Sequence, residues 1–258
     1  MPKSIRPACA AAVLVLALAA CSGGGDAASS SPSTAASPTP VPSTATPPAT
    51  TPSVVPPSSP AAKPVRTAAQ LAKALLALED LPAGFSIETG DSGEDGDVTL
   101  ASKDPRCARL VTLSNADTLP GSKASATKSY SGGAQGPFID ESLDALGSTA
   151  AVQAFQKSFK QAVAACRTMT LSIPGEGRSP ISVREVSAPR AGTDPVAVRF
   201  TASSGPLEGL EVTMISTGID DVVLAVTVVA GVPEDIDGAT TTAADKATSV
   251  LAATQSGT

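Results

Sequence analysis

Three segments of the chain repeat apolar residues at helical spacing. The first, 67–81, opens on Thr67 and Gln70, which have the form of a capping box. The second continues from 148 up to Pro174, and the third covers about 240–253. Their apolar stripes comprise Leu71, Leu75 and Leu78; Val152, Phe155, Phe159, Val163 and Cys166; and Ala243, Ala247, Val250 and Leu251. The pattern therefore predicts helices at the start, middle and end of one domain.

Between these helices the apolar residues alternate with polar ones, as in strands with one buried face. Ala124–Tyr130, Val196–Thr201 and Leu210–Met214 follow this pattern, and a short connection, 218–221, leads to the continuous apolar run Val222–Val229. We expect that run to be the central strand. Because short turns join successive strands, we predict an α+β fold: a single domain whose twisted antiparallel sheet packs against about three helices.

The first twenty residues have the pattern of an export signal. Lys3 and Arg6 give a positive start, and Ala8–Ala20 is apolar. This apolar stretch is shorter than the ~20 residues that a helix needs to cross a bilayer. We therefore predict a cleaved signal peptide over residues 1–20 rather than a permanent membrane span.

The residues around the predicted cleavage point, Leu18–Cys21, resemble a bacterial lipobox. At that signal the cysteine is diacylated, with chains such as palmitate, and becomes the new N-terminus. Ordinary secretory cleavage, with Cys21 incidental, is the alternative. A lipoprotein is expected to lie on the outer face of the cell membrane, held there by more than one acyl chain at Cys21.

The segment after Cys21 cannot build a hydrophobic core. Of the 44 residues in 22–65, 27 are Ser, Thr or Pro, and eleven are Pro. We therefore predict that 21–65 is the acylated cysteine followed by a disordered tether, and that the folded domain is 66–258. The Ala- and Thr-rich composition is also typical of actinobacterial surface proteins, which extend into the cell envelope.

The composition excludes several kinds of function. The chain has 258 residues with no His, and its 24 acidic and 18 basic side chains give a net charge of −6. Without imidazole, Ser-His-Asp and Cys-His catalysis are impossible, so we predict that the protein is not an enzyme and carries no cofactor or metal. The acidic balance argues against nucleic acid as a partner.

The cysteines predict one disulfide by elimination. Signal cleavage removes Cys9 and acylation uses Cys21, which leaves Cys107 and Cys166. A bridge over this separation stabilises the fold by about 4 kcal/mol in the loop-entropy model. A redox-active pair is the alternative, although the C-x-x-C spacing typical of such pairs does not occur.

Four other patterns could carry chemistry, and each also has a structural explanation. An acidic stretch rich in glycine could bind calcium, although its spacing is not that of an EF-hand and a solvated turn explains it as well. Ser125-Ala-Thr-Lys128 matches the S-x-x-K string of penicillin-binding enzymes, but a strand would put the two side chains on opposite faces. The arginines could contact an anion, and the aromatic residues could line a pocket or simply form the core. The residues concerned are Glu88, Asp91, Glu94, Asp95 and Asp97; Arg178, Arg184, Arg190 and Arg199; and Tyr130, Phe138, Phe155, Phe159 and Phe200.

Four short segments resemble the PknH-like extracellular sensor domains of actinobacteria and their free-standing lipoprotein relatives. They are Asp80–Ser86, Asp104–Ala108, Ala164–Cys166 and Pro189–Arg199. The resemblance covers most of 67–254 and implies a twisted antiparallel sheet with helices on one side and a cleft for a ligand. It supplies no catalytic residues. Relatives often have two disulfides, whereas this chain can form one.

Together these features predict a non-enzymatic, lipid-anchored surface protein. We expect it to bind a small molecule, a lipid or an envelope component in a cleft between the sheet and the helices. The alternative is a protein-interaction module that assists an envelope enzyme or receptor, for which a flat exposed apolar patch would be the sign.

Overall fold

A computed structural model of the chain describes residues 65–88 and 98–256. Every described residue belongs to one compact unit. The predicted signal peptide 1–20, the acylated Cys21 and the tether up to residue 64 lie outside the described residues and remain predictions. The same holds for four of the five candidate calcium ligands, namely Asp91, Glu94, Asp95 and Asp97.

Four α-helices form in the described part of the chain. The predicted capping box is present at the first, where Gln70 N–H donates to Thr67 Oγ1 at 3.3 Å and Thr67 N–H donates to Gln70 Oε1 at 2.8 Å. A short 3-10 turn, Leu78–Asp80, follows this helix instead of the further α-helical turns that were predicted. The helices are α1 Ala68–Ala74, α2 Ala108–Ser114, α3 Thr149–Ala165 and α4 Pro233–Ser256.

The strands form one nine-stranded sheet in which all neighbours are antiparallel. Its spatial order is β1-β3-β4-β9-β8-β7-β6-β5-β2, so β9 lies inside the sheet as the apolar run predicted. This confirms the α+β fold class. The strands are β1 Ser86–Ile87, β2 Thr99–Ala101, β3 Ala124–Ser131, β4 Phe138–Ala145, β5 Thr168–Ile173, β6 Gly177–Val186, β7 Thr193–Ala202, β8 Glu211–Ile219 and β9 Val222–Val229.

Helices cover both faces of the sheet rather than the one face that the resemblance implied. α1 and α4 pack on β3, β4, β8 and β9, whereas α2 and α3 lie on the other face. In β9, Leu224, Val226 and Val228 belong to the core under α1 and α4, and Val223 belongs to the core under α3. This two-sided burial explains why seven of the eight residues of β9 are apolar, Thr227 being the exception.

The second predicted helix is too long. It ends at Ala165, with Cys166 as its C-cap, and Thr168–Ile173 form β5. The physical reason is the sequence Thr168–Ile173, which alternates Thr or Ser with large apolar side chains and includes β-branched residues that favour strands. β5 is held between β6 and β2 in the sheet.

The predicted disulfide is present and joins two elements of the same face. Cys107 and Cys166 have an S–S distance of 1.98 Å, and both are fully buried. Cys107 directly precedes α2 and Cys166 directly follows α3. The bridge therefore fixes the start of α2 against the end of α3, and α2 itself, seven residues long, was not predicted.

Candidate ligand cleft

α2 and α3 cover only part of their face of the sheet and leave a cleft beside them. On β4 the odd-numbered residues Ile139 and Leu143 face α1 and α4, so the even-numbered residues point to the opposite face. There a cavity of about 290 Å³ lies over β3, β4, β9 and β8. We call it the polar end of the cleft, because its floor includes Thr127, Ser129, Asp140, Ser142, Ser216 and Thr227.

The ionisable side chains that enter the polar end are carboxylates. Asp140 is exposed, and its Oδ1 accepts a hydrogen bond from Ser129 Oγ at 2.6 Å. Asp144 is only 2 % exposed, and its Oδ1 accepts from the backbone N–H of Leu119 at 3.1 Å. Asp117 adds a third carboxylate from the segment after α2. This end of the cleft therefore has a negative potential.

A second cavity, of about 380 Å³, extends the cleft over the ends of β4, β9, β8, β7 and β5. We call it the apolar end, because its lining is dominated by large apolar side chains. They include Phe138, Leu171, Phe200, Leu210, Val212 and Val229.

The two cavities adjoin and are treated as the two ends of one cleft, since four residues line both. Asp140 and Thr227 contribute from the floor, Met214 from β8, and Ser114 from the end of α2. Ser114 Oγ is buried and has no hydrogen-bond partner among the described residues. The covered hydroxyl therefore does not itself offer a contact to a ligand at the junction of the two ends.

The wall of the polar end comes from α3. Phe155 and Phe159 lie one turn apart, and their rings are nearly parallel with centroids 6.1 Å from each other. Beneath them Gln156 Nε2 donates to Ser216 Oγ at 2.9 Å, and this glutamine is only 2 % exposed. These contacts join α3 to β8 and set the width of the cleft.

Four of the five aromatic residues named from the sequence line the cleft. Phe155 and Phe159 lie at the polar end, and Phe138 and Phe200 at the apolar end. Tyr130 is instead buried on the opposite face, where its hydroxyl donates to Leu76 O.

The structure does not bring Ser125 and Lys128 together. Both lie in β3 on opposite faces, as the strand pattern predicted. Lys128 Nζ donates to Leu76 O at 3.1 Å on the α1 side, so it does not face the serine. The S-x-x-K string is therefore not a nucleophile pair in this fold.

The four arginines do not form one cluster. Arg184 and Arg199 are register partners on β6 and β7, and Arg199 lies 3.9 Å from Glu211. Arg178 donates to Ser172 Oγ at 2.8 Å, and Arg190 is an exposed residue outside the strands. None of them lines the cleft.

Sequence reasoning missed a buried carboxylate under α1. Glu141 is 1 % exposed, and its Oε2 accepts a hydrogen bond from Leu76 N–H at 2.8 Å. Burial raises the pKa of Glu141 to about 7, although Lys246 and Lys128 oppose the rise. Its signal in the sequence is an acid at a position where the alternation of β4 requires an apolar residue.

Two further findings concern the whole described region. Across 65–88 and 98–256, no helix is long and apolar enough to cross a membrane. Within the same ranges, no group of three or more Cys, Asp or Glu side chains is arranged to hold a metal ion.

The chain matches no protein-family model and no curated protein sequence. Its structure is similar to the crystal structure of the extracellular domain of PknH from Mycobacterium tuberculosis, with a TM-score of 0.54. The two proteins share a fold. The similarity covers 74% of this chain and 99% of the PknH domain at 16% sequence identity. At this identity the likeness establishes the architecture, and the function has to be argued from the cleft.

Proposed function

We propose that this protein is a lipid-anchored module of the cell surface that binds an amphiphilic small molecule in the cleft. The observation that carries the proposal is that the polar and apolar ends adjoin, with Ser114, Asp140, Met214 and Thr227 lining both. Small-molecule sites are typically concave and largely apolar, with a few polar groups that fix orientation. A ligand with a polar head and an apolar tail would match both ends of this cleft at once.

The location proposed for this module is the outer face of the cell membrane. The export pattern over residues 1–20 and the lipobox-like Leu18–Cys21 support it, and acyl chains on Cys21 would provide the anchor. The disulfide between Cys107 and Cys166 is typical of an oxidising compartment outside the cytoplasm. The shared fold with the extracellular domain of PknH is consistent with this place.

Binding without turnover is the activity that fits the polar end. Ser129 donates to Asp140, but the chain contains no histidine. This pair therefore lacks the imidazole through which serine hydrolases deprotonate their nucleophile. We accordingly propose a carrier or sensor role rather than an enzymatic one.

Native mass spectrometry of the full-length protein purified from its own membrane tests this function. We expect a small-molecule mass bound in a one-to-one ratio. Thr227→Trp places a large ring on the half-buried floor where the two ends meet and should remove that mass. Thr201→Trp is the matched control, because Thr201 is also a half-buried strand residue but does not line the cleft.

A bound mass that is lost in Thr227→Trp and kept in Thr201→Trp supports the proposal. A bound mass that both variants retain contradicts it, since the molecule would then lie outside the cleft. Absence of any bound mass, combined with crosslinking of one envelope protein to both variants, would favour the protein-interaction module instead.

A further inference from the structure

The charges around the cleft restrict the head group of its ligand. Among the described residues, no Lys or Arg lines either end, whereas Asp117, Asp140 and Asp144 line the polar end. No ion pair formed within the described chain neutralises these three aspartates. A phosphate or carboxylate placed here would meet repulsion without a compensating cation.

Asp140 is the carboxylate best placed to contact a head group. It lines both ends of the cleft and is exposed, so it lies where the head and tail of a ligand would join. Its register partner on β3 is Ser129, whose hydroxyl bonds to Oδ1 and thereby orients the carboxylate. A carboxylate held in this way favours groups that donate hydrogen bonds.

Hydroxyl groups provide the remaining polar contacts of this region. Thr127, Ser142 and Thr227 lie on the floor. Hydroxyls both donate and accept hydrogen bonds, so they suit sugar hydroxyls and amines without requiring a negative charge.

Resting on the proposed function, we infer that the cleft selects amphiphiles whose head group donates hydrogen bonds and carries no negative charge. Two kinds of molecule have this chemistry, namely a glycosylated lipid and an aminolipid. The apolar end, lined by Phe138, Phe200 and Val229, takes the alkyl chain in either case.

Isothermal titration of the full-length protein with three ligands of equal chain length tests this inference. The ligands are dodecyl maltoside, dodecylamine and dodecyl phosphate, each used below its micelle concentration. We expect at least one of the first two to bind in the cleft, as shown by loss of the heat in Thr227→Trp and its retention in Thr201→Trp. Dodecyl phosphate should bind at least tenfold more weakly. The maltoside and the amine then distinguish the sugar head from the amine head.

Asp140→Asn tests the source of the selectivity. Asp140→Asn should reduce severalfold the ratio of the affinity for the maltoside or the amine to the affinity for dodecyl phosphate. Asp245→Asn should leave this ratio unchanged, although both substitutions remove one negative charge. Asp245 is an exposed residue of α4, on the opposite face of the sheet. Asp117→Asn is a second variant at the polar end and should act in the same direction as Asp140→Asn.

The possible failures are distinguishable. Equal or tighter binding of dodecyl phosphate, abolished by Thr227→Trp, would overturn the inference about charge and leave the proposed function standing. An equal effect of Asp140→Asn and Asp245→Asn would overturn the role of the cleft carboxylates. If none of the three ligands binds in a way that Thr227→Trp abolishes, the inference fails, and the bound mass from the native membrane then decides the proposed function separately.

Discussion

Substituting Glu141 by Gln is expected to change how the stability of the domain depends on pH. Glu141 lies in β4 under α1, where Oε2 accepts from Leu76 N–H at 2.8 Å and Oε1 has no partner among the described residues. Asp80, Lys128 and Lys246 are the charged groups that influence it. Glutamine keeps an acceptor for Leu76 N–H and has nearly the same shape, so the substitution mainly removes the charge.

The size and sign of the effect follow from the pKa of Glu141. Burial raises this pKa from its ordinary value of 4.5 to about 7 in the folded protein. The folded state therefore binds the proton more tightly than the unfolded chain does. The contribution of protonated Glu141 to the unfolding free energy is fully present below pH 4.5 and is lost as the pH rises through about 7. At about 1.4 kcal/mol for each tenfold change in proton affinity, the loss amounts to about 3 kcal/mol.

Urea unfolding of the full-length protein between pH 4.5 and pH 8.5 measures this effect. The difference in unfolding free energy between Glu141→Gln and wild type should grow by about 3 kcal/mol in favour of the variant as the pH rises. Glu208→Gln, at an exposed residue between β7 and β8, controls for the loss of one carboxylate. A difference that stays constant across this range would refute the argument that Glu141 is buried without a charge partner.

Three substitutions test the packing around the sheet. Arg66 is 6 % exposed, and its Nε donates to Asp221 Oδ1 at 2.6 Å. Arg66→Ala should therefore reduce the free energy of unfolding, measured with a chemical denaturant, by about 3–5 kcal/mol. A reduction below about 1 kcal/mol would contradict this prediction. Replacing Cys107 and Cys166 together by Ser should cost about 4 kcal/mol, and dithiothreitol should then have no further effect on the unfolding midpoint. Gly218→Ala should lower the melting temperature and reduce the unfolding free energy by about 1–3 kcal/mol, because the added Cβ would lie 2.7 Å from a valine of α3. An unchanged melting temperature would show that α3 shifts freely.

The sequence predicted the elements whose periodicity reflects simple burial. The interior position of β9 followed from its almost entirely apolar run, because a strand covered on both faces needs few polar side chains. α3 was predicted from its stripe, but its end was not. The apolar residues of β5 can also be placed on a helical stripe, and only pairing with β6 and β2 decides the conformation.

A cleft between the sheet and the helices was expected, but its lining residues could not be predicted, because its floor depends on contacts between distant segments. β4, which supplies Asp140 and Ser142, has an irregular pattern, since Glu141 occupies an inward position and Asp144 is buried on the cleft side. Its partner β9 lies far along the chain, as Phe138 pairs with Val229. From the sequence, the five aromatic residues could line a pocket or form the core, and only the folded sheet shows that the four phenylalanines among them line the cleft.

A crystal structure of the full-length protein purified from its own membrane would test directly whether the cleft holds an amphiphile. Continuous density is expected along the cleft, with the head group within hydrogen-bond distance of Asp140 and the tail against Phe138 and Val212. A cleft containing only solvent, in crystals of protein whose mass shows a bound molecule, would contradict it, because the ligand would then lie elsewhere.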